Sequence, residues 1–325
     1  MHKTVMIGLG ALNVDHLYRV DQIVTDGETA IQEYTKSPGG SAANTTYGLA
    51  KLGISSGFIG AVGDDEMGHM IKEDLVTIGI DTSRIITKQG EQTGMVLCLT
   101  DGKGRRALYA SPGSNGLLQW NDIDITYLNQ ADLIHMSSFV DETQLEVQKR
   151  LASRLTHNTK LSFAPGAMYV SRGMDNLLPI MRRTDILFIN EAELRDLTAY
   201  DIFDGAKACA KIGCNIIVIT LGAGKLLADD KYYTCYIYTK DQDFFIEGLA
   251  IHNDNVVDTT GAGDAFAAGF LYGFILQHGL KSCGQFGNIV AASSIMQMGG
   301  RAGLPSLPSF HEEYTCYYGQ PPEQH

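Results

Sequence analysis

From residue 131 onward, short apolar runs alternate with longer mixed stretches: Leu133–Met136, then Glu142–Leu155; Leu161–Phe163, then Asn176–Arg182; Ile186–Ile189, then Ala192–Thr198 and Phe203–Ile212; and finally Ile216–Thr220. The runs are too short for buried helices and lack the apolar–polar alternation of a half-exposed strand. They read as strands buried on both faces, with the intervening stretches as covering helices. That cadence restricts the chain to a parallel sheet covered on both sides, whose ligands sit at the carboxyl ends of the strands. A further buried strand is expected over residues 4–12.

Two stretches interrupt the cadence. Residues 17–35 alternate apolar and polar (Leu17, Val20, Ile23, then Ala30 to Tyr34), and residues 94–110 form a hairpin pattern around Asp101-Gly102. They predict a four- or five-stranded flap, formed by about residues 14–38 and 90–112, within one unit covering residues 1–325. Such a flap suits a lid that closes over a substrate, and its exposed face is a candidate dimer surface. Tyr18, Tyr34, Met95, Leu97 and Tyr109 are the flap side chains expected either to meet a substrate or to form lid core or interface. Arg105 and Arg106 are its paired basic residues, read as exposed hairpin charges or as a reach toward a substrate phosphate.

A chain of 325 residues, 44% hydrophobic, can fill one large α/β core with a small appendage. Its 37 acidic against 25 basic residues leave a net charge of −12, which argues against non-specific nucleic-acid binding. Cys98, Cys209, Cys214, Cys235, Cys283 and Cys316 show neither C-x-x-C nor metal-ligand spacing, and are expected to be reduced thiols, four of them in apolar surroundings. No basic-then-apolar leader precedes Val5, and no apolar run approaches about 18 residues. The expectation is a cytoplasmic protein with no membrane partner.

Residues 255–270 read Asn-Val-Val-Asp-Thr-Thr-Gly-Ala-Gly-Asp-Ala-Phe-Ala-Ala-Gly-Phe. The pattern predicts a short strand at Val256-Val257, a glycine-rich turn, and an apolar helix from about Gly263 to Leu276. A second apolar helix is expected over Gly287–Met298, with Asn288 near its start. Gly261 and Gly263 let the backbone approach a ligand, and the helix start offers N–H groups and the positive dipole end to an anion. Asp264 in the first turn is either a helix-start carboxylate or a base that takes a proton from a hydroxyl attacking phosphorus. Near the N-terminus, Ser41 reads as the cap of a helix closed by Gly53, behind a Gly39-Gly40 pair that could press backbone against a substrate, with Asn44 one turn in. Asn13-Val-Asp15 reads as a turn. Asn190 and Glu193 read as the two halves of a capping box. Gly8-x-Gly10 lacks the third glycine of a dinucleotide fingerprint, and neither a P-loop nor His-Glu-x-x-His occurs.

In their order along the chain these segments resemble the two signatures and the Asn-x-x-Glu motif of the ribokinase-like (PfkB) sugar and nucleoside kinases. The resemblance implies an α/β three-layer sandwich with a mostly parallel central sheet and a small β-sheet lid, the large domain binding the nucleotide. It implies transfer of the ATP γ-phosphoryl group to a hydroxyl, with Asp264 as base and Gly261, Ala262 and Gly263 around the transferring group. Asn13, Asp15, Gly39, Gly40 and Asn44 would hold the acceptor, and Asn190 and Glu193 would organise Mg²⁺ through water. Thr220, Gly222, Gly224 and Asn288 would meet the nucleotide, although Gly224 comes one position early for Thr-x-Gly-x-x-Gly. Asp258 and Ser306 are candidates for holding a monovalent cation such as K⁺. The implied acceptor is a small sugar, with a nucleoside as the alternative, and the implied assembly is a homodimer through the lid. A non-catalytic nucleotide or sugar sensor is a third reading, against which the presence of Asp264, Asn190 and Glu193 argues.

Overall fold

The computed structural model describes residues 4–102, 105–227, 230–249 and 256–319. Asn255 and the hairpin tip at 103–104 lie outside the described residues. In chain order the strands are β1 (Met6–Leu9), β2 (Asn13–Val20), β3 (Ile31–Gly39), β4 (Ser56–Gly63), β5 (Asp81–Lys88), β6 (Gly94–Asp101), β7 (Arg106–Ser111), β8 (Leu133–Ser137), β9 (Lys160–Ala164), β10 (Ile186–Asn190), β11 (Ile216–Leu226), β12 (Tyr232–Tyr238) and β13 (Asp243–Glu247). The α-helices are α1 (Ser41–Lys51), α2 (Glu66–Thr77), α3 (Ile125–Leu128), α4 (Glu142–Ala152), α5 (Gly166–Val170), α6 (Met174–Met181), α7 (Glu191–Thr198), α8 (Ile202–Ile212), α9 (Ala262–Ile275), α10 (Leu280–Ser294) and α11 (Leu307–Tyr318).

Nine strands form one sheet in the order β13-β12-β11-β10-β9-β8-β1-β4-β5, and β3-β2-β6-β7 form a second, smaller sheet. In the large sheet the strands from β5 across to β11 run parallel, while β12 and β13 add antiparallel at one edge. Successive strand residues feed opposite faces, as the two-residue period requires. Ile7, Ile134, Leu187 and Ile217 join Leu145, Ile180, Leu194 and Ala206 of the helices on one side. Met6, Leu133, Ile186 and Val218 join Leu49, Phe270, Ile289 and Phe310 on the other. The result is the helix–sheet–helix sandwich that the apolar cadence predicts.

The chain proceeds outward from β1 to β4 and β5 in one direction, and from β8 to β13 in the other. The strand order therefore reverses between β1 and β8, and a crevice opens outside the carboxyl ends of strands at such a point. The small sheet leaves the large one just there, through β2 after β1 and through β3 before α1. No helix among the described residues is long and apolar enough to cross a membrane. Cys98, Cys209, Cys214, Cys235 and Cys283 are buried free thiols, and Cys316 is an exposed one.

Four local expectations are corrected. Val256-Val257 is not a strand: the amides of Val257 and Asp258 donate to the Ile295 carbonyl at the end of α10 (2.9 and 3.2 Å), which takes the bonds a sheet neighbour would need. Asn13–Asp15 is not a turn but the start of β2, paired with both β3 and β6. The strand expected over Ile216–Thr220 does not end there: β11 runs on through Gly222 and Gly224 to Leu226, its register against β12 slipping between Thr220 and Lys225. Helix α10 begins at Leu280, well before Gly287, so Asn288 sits in its middle. Its glycines are tolerated because tertiary packing outweighs helix propensity: the backbone at Phe286 and Gly287 lies against Gly269 of α9, where a Cβ would come within 2.4 Å of the Phe286 oxygen.

Candidate active site

Helix α9 begins at Gly261, whose φ of 76° suits glycine, and a Cβ there would stand 2.8 Å from the Gly300 Cα. Two residues on, Gly263 is exposed, and a Cβ built on it would meet nothing within 4 Å. The Ala262 N–H is turned inward to the Thr259 carbonyl (3.3 Å), so Gly263 and Asp264 present the outward-facing start of the helix. This is a ready position for an anion.

Asp264 is held from across the crevice by α1. Ser41 Oγ donates to its Oδ1 (2.6 Å), Asn44 Nδ2 donates to its Oδ2 (3.0 Å), and Thr45 Oγ1 donates to its carbonyl (3.2 Å). The expectation for Ser41 is thereby corrected: Gly40 is the N-cap of α1, and no side chain caps it. A serine at a helix start has the same sequence signature whether it caps or serves a carboxylate. Burial pushes the Asp264 carboxyl up to about 6, against the two hydrogen bonds and the Arg301 charge that favour the ionised form, with Glu193 adding to the rise. A carboxylate poised near neutrality is suited to accept a proton.

Asp15 reaches the same crevice from β2. Its Oδ1 is buried without a hydrogen-bond partner among the described residues. Desolvation lifts its carboxyl to about 7; Arg301 opposes the rise, and Asp264 and Asp258 add to it. A buried carboxylate oxygen without a donor is costly unless a ligand supplies one. Its neighbour is Gly39, close by across β2 and β3, where a Cβ would fall 2.3 Å from both carboxylate oxygens. Gly40, at φ 103°, passes so close to β1's exit that a Cβ would stand 2.1 Å from the Ala11 carbonyl. Asn13 lies beside them, its Oδ1 accepting from Asn115 Nδ2 (3.0 Å). The structure thus brings Asn13, Asp15, Gly39, Gly40, Asn44 and Asp264 together from β2, β3, α1 and α9.

On the other side of Asp264 a cavity opens under the ends of β8 to β11, lined by Asn190, Glu193, Thr220 and Gly263, with His135 at its floor. Asn190 caps α7 by accepting from the Glu193 N–H (2.9 Å), and Glu193 Oε2 accepts from the Asn190 N–H (3.1 Å), so the capping box is formed. Burial raises the Glu193 carboxyl. One half-buried carboxylate fits a hydrated Mg²⁺ whose remaining ligands come from phosphates and water; among the described residues no cluster of three or more acidic, His or Cys side chains could hold a metal alone. His135 is fully buried, bonds Ser162 through Nδ1 (2.9 Å) and has no partner at Nε2 among the described residues. Burial depresses it to about 3, so it stays neutral.

Other candidates lie apart or are already engaged. Gly222 and Gly224 have positive φ within β11 (60° and 98°). Asn288 donates to the Glu247 carbonyl (2.8 Å) and accepts from Thr234 (2.9 Å), which ties it to β12 and β13. Asp258 accepts the Thr260 and Gly299 amides, each at 2.9 Å. Ser306 caps α11.

Of the two expectations for the flap residues, substrate contact or lid core and interface, the strand register fits the second. Tyr18, Tyr34, Leu97 and Tyr109 share the face opposite Asp15, where Tyr18 and Tyr34 stack with centroids 4.6 Å apart. The face that Asp15 shares carries Leu17, Val96, Cys98, Leu108 and Arg106 instead. Of the two arginines, Arg105 is paired with Asp101, while Arg106 reaches Thr260 beside the start of α9 (3.5 Å).

Residues 2–307 match the profile of the pfkB family carbohydrate kinases. The chain belongs to this family. Among its relatives, an uncharacterized sugar kinase of Archaeoglobus fulgidus is 35% identical over 261 residues, covering 79% of this chain and 98% of the relative. An ATP-dependent ribose-1-phosphate kinase of Halopiger xanaduensis is 29% identical over 311 residues, covering 94% and 95%. The crystal structure of a Methanocaldococcus jannaschii nucleoside kinase, an archaeal member of the ribokinase family, superposes with a TM-score of 0.81 at 24% identity, covering 98% of this chain and 100% of that one. This PfkB chain is an ATP-dependent kinase with the ribokinase-like fold, in a family whose members act on sugars and nucleosides.

Sequence reasoning missed three residues of the site. Ser41 was hidden by its helix-start position. His135 sits in an apolar strand, where a lone histidine reads as core. Arg301 had a signal: it is the only Asp, Glu, Lys or Arg between Lys281 and Glu312.

Proposed function

We propose that the chain transfers the γ-phosphoryl group of ATP to a hydroxyl of a small neutral sugar, with Asp264 as general base. The carrying observation is that Asp264, beside the open start of α9, is hydrogen-bonded by Ser41 and Asn44 of the element that begins at the Gly39-Gly40 pair. The acceptor lies between them, its hydroxyls donating to Asp15 and its reactive hydroxyl facing Asp264. Asp264 takes that proton as the oxygen attacks, and the α9 start stabilises charge on the transferring group. Holding acceptor and base in one geometry supplies much of the rate. Asn190 and Glu193 would hold hydrated Mg²⁺, which when bound neutralises phosphate charge.

The choice of a sugar over a nucleoside is supported by the cleft-side face of the small sheet. It offers the aliphatic Leu17, Val96 and Leu108, while the stacked tyrosines lie on the other face and present no platform for a base. The three carboxylates of Asp15, Asp258 and Asp264 disfavour an anionic acceptor. The small sheet serves as a lid, and a second copy of the chain covers its outer face. The test is ATP turnover with Mg²⁺ on D-ribose, D-fructose, ribose 1-phosphate, a keto-deoxy acid, adenosine and cytidine. A neutral sugar is expected to give the highest kcat/KM, and Asp264→Asn to bind ATP but lose at least about 10²-fold in rate. Preferential turnover of a nucleoside, or an Asp264→Asn enzyme of undiminished rate, overturns this reading.

A further inference from the structure

Arg301 is buried, 5% exposed, in the loop between α10 and α11. Its guanidinium makes four contacts, with three elements: α1 (twice), the end of β3, and α2. Nε donates to Asn44 Oδ1 (3.0 Å), Nη2 donates to the Gly39 carbonyl (3.2 Å), Nη1 donates to and pairs with Asp74 of α2, and Cζ lies 5.2 Å from the centre of the Tyr47 ring.

We propose that Arg301 is a positioning residue for phosphoryl transfer: it fixes the Asn44 carboxamide so that its NH₂ group must face Asp264, and it ties the acceptor-side glycine to the same fork.

An asparagine amide has two nearly isosteric ends, and packing alone seldom decides between them. Here both ends meet one-way partners. A guanidinium can only donate, so the Asn44 oxygen faces Arg301; an ionised carboxylate can only accept, so the nitrogen faces Asp264. Gly300 closes the remaining side, since a Cβ there would lie 2.6 Å from Asn44 Nδ2. The planar fork is also what lets one side chain reach Asn44, Gly39 and Asp74 at once, which a lysine ammonium on its flexible stem does poorly. Asp264 is thus held in one rotamer by a chain of bonds that starts at α2. The same guanidinium lies within electrostatic reach of both Asp15 and Asp264, and its charge opposes the rise that burial imposes on each.

The charged groups around Asp264 are Arg301 and Glu193, with Asp15 across the crevice, Asp258 just before α9, Arg106 of β7 at Thr260, Asp74 against Arg301, and neutral His135 in the adjoining cavity. Removing Arg301 takes away the positive charge that opposes the rise of both Asp15 and Asp264. The inference rests on the reading of Asp264 as base, and its tests separate the two. With MgATP and D-ribose, and adenosine as a second acceptor, Arg301→Met is expected to lower kcat at pH 7 by about 10- to 100-fold, the scale of one charge-assisted bond. It also moves the acid limb of kcat to higher pH, so that part of the activity returns by about pH 9. Arg301→Lys keeps the charge but not the fork: kcat falls at least about 5-fold while the acid limb stays near that of the wild type. In nucleotide-free protein, the Asn44 side-chain amide resonances, assigned by their absence in Asn44→Leu, lose exchange protection in both variants.

If the variants merely melt earlier, with kcat per folded site, acid limb and Asn44 protection unchanged, Arg301 is a structural ion-pair partner and the proposal falls. Should Arg301→Met not fold, Arg301→Lys decides by the same readouts. If Asp264→Asn keeps wild-type turnover, the base assignment itself fails; if it is inactive while both Arg301 variants behave as wild type, only the positioning role fails.

Discussion

Asp15 and Asp264 titrate in the folded protein at about 7 and about 6, well above the ordinary aspartate value of 3.8, chiefly because burial penalises their charge. A raised carboxyl favours the folded state only while it is protonated. The contribution is therefore fully present below about pH 4 and is lost as pH rises through 6 to 7. At pH 8 the ionised Asp15 opposes folding by an amount on the order of 4 kcal/mol. Asp15→Asn is accordingly expected to raise the melting temperature at pH 8, with the gain vanishing near pH 4, while the KM for the acceptor rises. Thermal melts of nucleotide-free protein across that range check it, and a lower Tm at pH 8 contradicts it. The Asp264 value, that of the substrate-free enzyme, places an acid limb in the kcat/KM–pH profile: kcat/KM rises with pH through about 6 as Asp264 ionises. A limb that survives in Asp264→Asn would belong to another group.

Two of the three glycines of helix α9 have opposite roles. Gly269 faces α10 so closely that a Cβ would meet the Phe286 oxygen at 2.4 Å, whereas Gly263 has nothing within 4 Å. Gly269→Ala is expected to destabilise by about 1–3 kcal/mol through overpacking, measured by denaturant unfolding. Gly263→Ala should leave stability unchanged or raise it by up to about 1 kcal/mol through helix propensity, yet cut kcat sharply because its methyl fills the phosphoryl position. Equal losses of stability in both variants would contradict this division. The contrast also marks what sequence could disclose. The apolar cadence and the Asn190–Glu193 capping box were legible because each depends on residues close together in the chain. Local patterns could not tell that Ser41 serves Asp264 rather than its own helix, or that β11 runs on through Gly222 and Gly224. Those outcomes depend on partners far away in sequence: α9 for Ser41 and β12 for β11. Arg301, whose partners lie at positions 39, 44 and 74, is the extreme case, because a lone arginine in an apolar run signals burial but not what it holds.

At the scale of the molecule, the small sheet has one face toward the candidate crevice and another that is buried at Val14 but carries exposed side chains farther along. Strand register sends Tyr34, Met95 and Tyr109 to that second face, where they are 46%, 37% and 59% exposed. Apolar and aromatic side chains gathered on a sheet face call for a partner more than the same residues scattered singly. A second copy of the chain is the expected one, since an isologous contact lets the same patch cover itself. The net charge of −12 opposes such pairing at long range, and salt screens that repulsion within about 10 Å at 0.1 M, so dimerisation driven by this face should strengthen as salt is raised. Sedimentation equilibrium at low and high salt tests that sign. Tyr109→Glu puts a buried charge into the proposed contact and should yield monomers; a dimer that persists in this variant places the interface elsewhere. Because β2 carries Asp15 on its other face, losing the partner should also loosen the acceptor's grip: the monomeric variant is expected to show a raised acceptor KM with an ATP KM near that of the wild type, since Asn190 and Thr220, proposed for the nucleotide side, belong to β10 and β11 of the large sheet.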